Sequence, residues 1–389
     1  MIRAGAFLFF LPIAAFGQRS VRDTVAKDTA YVIYHDSPID FPLLFGLRIP
    51  IYDRINGLTL PFGPRLTLGE DVLEAEAIVS YRSNLGKFDP SGSIRFAPIL
   101  DTWIRAEGGR GTFSNDRWIR GDLLNSAASF GVGSDSRNYY RADQVRLSIG
   151  RRIDIKNGSF EPSIGAQSER AWSTGSRTPP RKSPWSVFGR SSEEKMKRPN
   201  PAVRKGTLAS AIVASSLDWE KDKVAITGSA KLEVAFDHSA SLENGPAGNS
   251  NFRQVTMDVQ SKFPALMDHS FEFQLHWVGT GNGIAPPQRF AYLGGSGTIA
   301  TMKLLEQGGD KLFYVSGLYL VPIHQLTLPI VGSPYVGLRY AAGAAGIGEL
   351  PALVQNITPM IGVRFLRAEY SFDPSSKKSA LSIGLSLSP

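Results

Sequence analysis

The chain has 389 residues, a formal net charge of +8 at pH 7 and no cysteine. It therefore has no thiol nucleophile, thiolate metal site or disulfide framework, and a fold of this size needs no such staples in an oxidising compartment. Beyond the amino terminus no run of roughly 18 uncharged apolar residues occurs, which excludes a membrane protein built from helices.

The first segment, "MIRAGAFLFFLPIAAFGQRS", reads as an export signal. Arg3 supplies the positive start, Ala6 to Phe16 the short apolar stretch, and Ala15-Phe16-Gly17 the small-x-small cleavage pattern. Residues 1–17 are expected to be removed on export. Residues 18–48 follow as a periplasmic arm or linker, and residues 49–389 as the barrel described next.

From there the dominant signal is alternation. In "VLEAEAIVSYR" Leu73, Ala75, Ala77, Val79 and Tyr81 share one face, and Glu74, Glu76, Ser80 and Arg82 the other. "VAITGSAKLEVAF" sets Ile226, Leu232, Val234 and Phe236 against Thr227, Ser229, Lys231 and Glu233. "QVTMDVQSKF" opposes Val255, Met257, Val259 and Phe263 to Thr256, Asp258, Gln260 and Lys262. In "SFEFQLHW", Phe271, Phe273, Leu275 and Trp277 face away from Glu272, Gln274 and His276, and Leu381, Ile383 and Leu385 extend the rule to the end.

Period-two patterning of this kind makes strands with one apolar and one wet face. Several of these strands are ten or more residues long, close to the 9–11 tilted residues that cross a bilayer. Short "NG", "GD" and "DP" turns alternate with sprawling loops, as in outer-membrane barrels. Tyr81, Tyr139, Tyr140, Trp172, Trp219, Phe236 and Trp277 lie toward strand ends, where an aromatic girdle belongs.

The expected fold is all-β: a single antiparallel transmembrane β-barrel of 14–16 strands, closed on itself because an open edge in hydrocarbon would leave backbone groups unpaired. The wet faces would line the lumen, with Glu74, Glu76, Lys231, Glu233, Asp258, Lys262, Glu272 and His276 as its charged residues. A secreted soluble β-sandwich or propeller also alternates, but calls for shorter strands and repeated blades, and no repeat is present.

Residues 176–205 carry nine Lys/Arg against two Glu, interleaved with five Pro. They read as a long basic exposed loop. Nucleic acid is not the expected partner, since Trp185 and Phe188 alone make no base-stacking face. Acidic lipid headgroups or other surface anions suit the charge better.

"FAYLGGSGTIATM" places Gly295, Gly297 and Ala300 at GxGxxA spacing. A dinucleotide-binding turn would need alternating strands and helices around it, and here the neighbours are long strands. The glycines instead suit a tight loop packed against a wall.

Here a resemblance enters. "PIYDRINGLTLPFG" (Pro50 to Gly63) resembles the first-strand motif of the bacterial surface-antigen, or outer-membrane assembly-factor, superfamily. "PPQRFAYLGGSGTIATM" resembles the family's Leu-Gly-Gly-x-x-Thr loop, and "GSDSRNYYRADQVRLSIGRR", "TPMIGVRFLRAEYSF" and "SALSIGLSLS" look like its barrel. The resemblance implies sixteen strands and a loop inside the lumen formed by Gly294, Gly295, Gly297, Thr298, Ala300 and Thr301. The family continues Arg-Gly-aromatic where this chain has Ala300, Thr301 and Met302, so its docking arginine is absent there. The arm of residues 18–48 is too short for one of the family's periplasmic modules, and the chain ends on Pro389 rather than an aromatic residue.

For catalysis the sequence offers little. Its five histidines show no His-x-x-x-His pair. An outer-membrane lipase or protease would use His276 with a rim serine, but no Gly-x-Ser-x-Gly elbow is present. Glu74 and Glu76, two apart on one strand face, read as lumen lining rather than an acid pair. The expectation is thus a non-enzymatic integral barrel of the bacterial outer membrane, without cofactor or metal, serving assembly, transport or anchoring. Outer-membrane lipids surround it, and a periplasmic protein meets the arm. A diffusion porin and an outer-membrane hydrolase are the alternatives.

Overall fold

The computed structural model describes residues 39–40, 46–69, 72–99, 101–174, 198–241, 251–326, 333–363 and 366–385. The expected signal peptide, most of the arm and residues 175–197 of the basic loop lie outside them.

One antiparallel sheet of nineteen strands dominates the fold. Three passes are each broken in two, so the strands make sixteen passes. They are β1 (Ile39–Asp40 and Ile51–Asp53), β2 (Gly57–Phe62 and Arg65–Leu68), β3 (Leu73–Arg82), β4 (Lys87–Ile99) and β5 (Thr102–Phe113). After an α-helix, α1 (Asp122–Val132), come β6 (Tyr140–Arg151 and Ile153–Ile155), β7 (Gly158–Ser173), β8 (Lys205–Lys221), β9 (Val224–Ser241) and β10 (Phe252–Pro264). The rest are β11 (Ser270–Gly281), β12 (Lys311–Pro322), β13 (Tyr335–Gly346), β14 (Val354–Val363), β15 (Leu366–Phe372) and β16 (Ser379–Leu385). The sheet opens with Ile39 paired to Leu66, ahead of the expected start at residue 49.

Each pass pairs with the next in sequence, the up-and-down order of a single antiparallel barrel. One end carries tight turns, because Asp101, Asn157 and Asp222 adopt φ of 66, 69 and 55°, a left-handed region that Asp and Asn tolerate better than most side chains. The opposite end carries the long connections 114–139, 174–204 and 282–310.

The register carries the two faces around the sheet, because directly opposed residues share a face. Glu233 faces Gln254, Asp258 faces His276, and Lys262 faces Glu272 on one side. On the other, Val145 (64% exposed), Leu381 (74%) and Ile383 (77%) stand in the open. Meanwhile Glu169, Glu233 and Asn356 are buried. A soluble core would invert that arrangement.

Two expectations need correction. Among the described residues no ladder joins β1 to β16, so the expected closure is not made by strand pairing there. At the loop end that edge of β1 already has partners: Tyr52 N–H donates to Ser126 Oγ (2.7 Å), and just past the strand Arg54 N–H donates to Asp135 Oδ2 (3.0 Å). Tyr139 and Tyr140 are buried rather than part of an aromatic girdle. The hydroxyl of Tyr139 donates to Asp135, and that of Tyr140 reaches Glu169 Oε2 at 3.3 Å, so both are drawn inward by carboxylates.

Candidate functional site: a loop pinned to the inner wall

The connection from β11 to β12 folds back over the polar face of the sheet. Its two limbs form a small hairpin, Ala291–Leu293 against Gln307–Gly309. The tip turns tightly at Gly294, Gly295 and Gly297, with φ of 126, 85 and 111°. A Cβ on Gly294 would lie 2.3 Å from the Lys303 carbonyl oxygen, so only glycine fits there. Thr298 Oγ1 accepts from Gly294 N–H (2.8 Å), and Gly295 N–H donates to the Ile299 carbonyl (3.0 Å). No helix follows, so the structure agrees that the glycines make a tight turn rather than open a dinucleotide-binding helix.

Beneath this turn lies the main apolar cluster of the described residues. Leu293 and Ile299 from the loop pack on Val278, Leu312, Tyr314, Ala341 and Ala345 of the wall. The small alanines of β13 admit the loop at close range. Farther along the tip, Thr301 N–H donates to Asn356 Oδ1 (3.1 Å) and Asn356 Nδ2 to Thr301 Oγ1 (2.8 Å), tying it to β14. Ala300, beside it, is half-buried.

The charged anchor sits at the start of the loop. Arg289, within the turn Pro287–Arg289, is buried. It donates through Nη1 to Glu169 Oε1 of β7 (2.9 Å) and through Nε to both oxygens of Glu233 on β9 (3.0 and 3.1 Å). Lys231 Nζ lies 3.3 Å from Glu233 Oε2, so two cations balance two carboxylates. Such a cluster is tolerable out of water only because its charges and hydrogen bonds are matched. The Arg289 carbonyl also accepts from Gln254 Nε2 (3.2 Å), binding the same turn to β10.

The connection 114–139 braces the loop from the side. Asp116 is buried and accepts backbone N–H groups from Tyr292 (3.1 Å) and Asn138 (2.8 Å). Burial pushes its carboxyl up from 3.8 to about 7, even though those two N–H bonds and the nearby Arg198 and Arg137 favour the charged form. Arg198, whose Nη1 donates to the Leu304 carbonyl (3.2 Å), is pulled down to about 10 by burial and then by the like charge of Arg54. Asn115 Nδ2 donates to the carbonyls of Gln288 (2.7 Å) and Phe290 (3.1 Å).

The Asp116 geometry gives a pH prediction. Between about pH 4 and about 7 the folded chain holds a proton there that the unfolded chain has released, so this group's contribution to stability falls as pH rises. The melting difference between the protein and its Asp116→Asn variant should change across that window and stay flat above it. A difference independent of pH would mean that Asp116 titrates normally.

All eight charged residues expected in the lumen share the face under the loop, and most are paired. Glu74 meets Arg65 and Arg95, and Glu76 meets Arg48 and Arg65. Lys262 pairs with Glu272 (3.7 Å) and Asp258 with His276 (3.1 Å). His276 also stacks on Trp118 with ring centroids 4.2 Å apart, so its imidazole serves to seat the 114–139 connection. Among the described residues no serine is hydrogen-bonded to it, and no group of His, Asp and Glu could hold a metal ion. Sequence reading alone missed Arg289, Glu169, Asp116 and Asn356. The short "PPQRF" approach to the glycines is the one local hint, for Arg289.

No family model and no curated protein matches the chain. Among solved structures, BamA from Haemophilus ducreyi lacking POTRA domains 1-3 superposes with a TM-score of 0.51 at 10% identity, over 87% of this chain and 69% of that one. CdiB from Escherichia coli (TM-score 0.47, 9% identity) covers 87% of this chain and 60% of its own. CdiB from Acinetobacter baumannii (TM-score 0.45, 13% identity) covers 86% of this chain and 58% of its own. The chain thus spans about 60% of the CdiB chains. At 10% identity the likeness to BamA is one of fold: an antiparallel β-barrel of the BamA type.

Proposed function

We propose that this is an integral barrel of the bacterial outer membrane, non-enzymatic, in which the pinned 282–310 loop obstructs the lumen and governs a role in assembly or transport. One observation carries the reading. The sheet turns apolar side chains to the outside and matched charges to the inside, and a buried Arg289 holds the loop against those charges. Arg289 does from the start of the loop what the surface-antigen family's arginine does from the tip, where this chain has Ala300.

The sheet opens at Ile39, at the tight-turn end, and the arm of residues 18–48 would meet a periplasmic partner. The basic loop would then lie outside the cell. The Trp118 ring stacked over His276, with no serine hydrogen-bonded to that imidazole among the described residues, supports lumen lining over a hydrolase; the Asp258 carboxylate on Nδ1 would suit either.

The test is reconstitution in a planar bilayer. The purified protein should migrate as a heat-modifiable band and conduct little. A large steady conductance would replace this reading with a diffusion porin, and hydrolysis of lipid esters would replace it with an enzyme. Protease added to whole cells should cut within residues 176–205 and spare the arm. Cleavage only after the outer membrane is opened would reverse the orientation.

A further inference from the structure

Helix α1 is amphipathic in the wrong sense for a water-soluble helix. Leu123 (47% exposed) and Phe130 (43%) stand in the open with Ala127 between them, at i, i+4 and i+7 on one stripe. The opposite stripe is polar and buried. Asn125 donates to Asp135 Oδ1 (3.1 Å) and accepts from Ser136 N–H (3.0 Å), and Ser129 beside it is fully buried. This is the rule of the strands, apolar outward and polar inward, repeated in a helix.

Its position explains why. The N–H and carbonyl of Leu58 are taken by Ser83, so the Tyr52–Leu58 pair is a non-hydrogen-bonded one and the backbone groups of Tyr52 point away from β2. That edge is the one where a last strand would pair, and α1 meets it instead through Ser126 Oγ, with Asp135 beyond. Tyr52 shares its face with Leu58, and the Phe130 ring packs edge-on against the Tyr52 ring, centroids 5.5 Å apart. Thr59, next to Leu58, is buried on the inner side and accepts from Arg82. Phe130 therefore lies on the outer, apolar face.

We propose that α1 is a lipid-facing element that seals the seam beside β1 at the loop end. Its Leu123–Ala127–Phe130 stripe lies against acyl chains just below the headgroups, and its polar side closes the lumen. A helix satisfies its own backbone, so it can border hydrocarbon where an unpaired strand edge cannot. This rests on the outer-membrane reading above.

The absence of cysteine makes the test clean. Single variants Leu123→Cys, Phe130→Cys, Leu381→Cys and Met267→Cys of the full chain are labelled with bimane and reconstituted in vesicles. The vesicle lipids are brominated near the headgroup end of the acyl chain. Leu381 on β16 reports the barrel wall, and Met267 (91% exposed) in a tight turn reports water. Labels at Leu123 and Phe130 should be quenched as strongly as at Leu381 and several-fold more than at Met267. Quenching at Leu381 alone overturns the helix proposal and leaves the membrane barrel standing. Absence of quenching at Leu381 removes both.

A double variant, Tyr52→Cys with Ser126→Cys, should link efficiently with a short thiol-reactive bridge. Preferential linking of Tyr52→Cys to Leu381→Cys would show that strand pairing closes the seam and would overturn the proposal.

Discussion

Arg289→Met should lower the stability of the folded barrel by about 3–5 kcal/mol, the usual cost of removing one partner from a buried ion pair. The guanidinium holds Glu169 and Glu233, each 1% exposed, and among the described residues only Glu233 has a second cation, in Lys231. Without Arg289 two carboxylates remain inside the wall with one ammonium between them. The midpoint of heat-modified gel mobility reads the loss. The same variant should raise single-channel conductance, because the turn tying the loop to β7, β9 and β10 is released. Adding Glu169→Gln and Glu233→Gln should recover much of the stability, since amides carry no buried charge, but should not restore the closed state. Unchanged melting together with a silent bilayer would show that the apolar cluster around Leu293 and Ile299 holds the loop without help.

The second large effect concerns the outer face. Lysine in place of Leu232 should block membrane assembly, at about 2–4 kcal/mol for a charge near the bilayer midplane. Ile226 and Phe273 lie only two and three residues into β9 and β11 from their tight turns, so Ile226→Lys and Phe273→Lys should cost less than Leu232→Lys. Ser229→Lys points inward opposite Asp258 and should assemble normally. The ratio of folded to unfolded protein after refolding into vesicles measures all four. Equal damage at Leu232 and Ser229 would mean that both faces are buried, as in a soluble sandwich.

Much of this is legible in the sequence. Alternation in "VAITGSAKLEVAF" and "QVTMDVQSKF" assigned Leu232 and Val259 to one side and Glu233 and Asp258 to the other, and the ladders keep those assignments. The glycines at Gly294, Gly295 and Gly297 read as a wall-packed turn, and they are one. Helix α1 was not legible as what it is. An apolar stripe at helical spacing normally points to a core, and here it points outward because the surroundings are inverted.

What the sequence by itself determined is the face of each side chain along the alternating strands, because a strand alternates with a period of two whatever lies around it. The tertiary structure decided which charges meet. Arg289 finds Glu169 across 120 residues and Glu233 across 56, and Asp116 finds Tyr292 across 176. No local period encodes such distances. They follow from strand register and from how two loops fold into one another, and the same nonlocal packing places α1 where a strand was expected to close the ring.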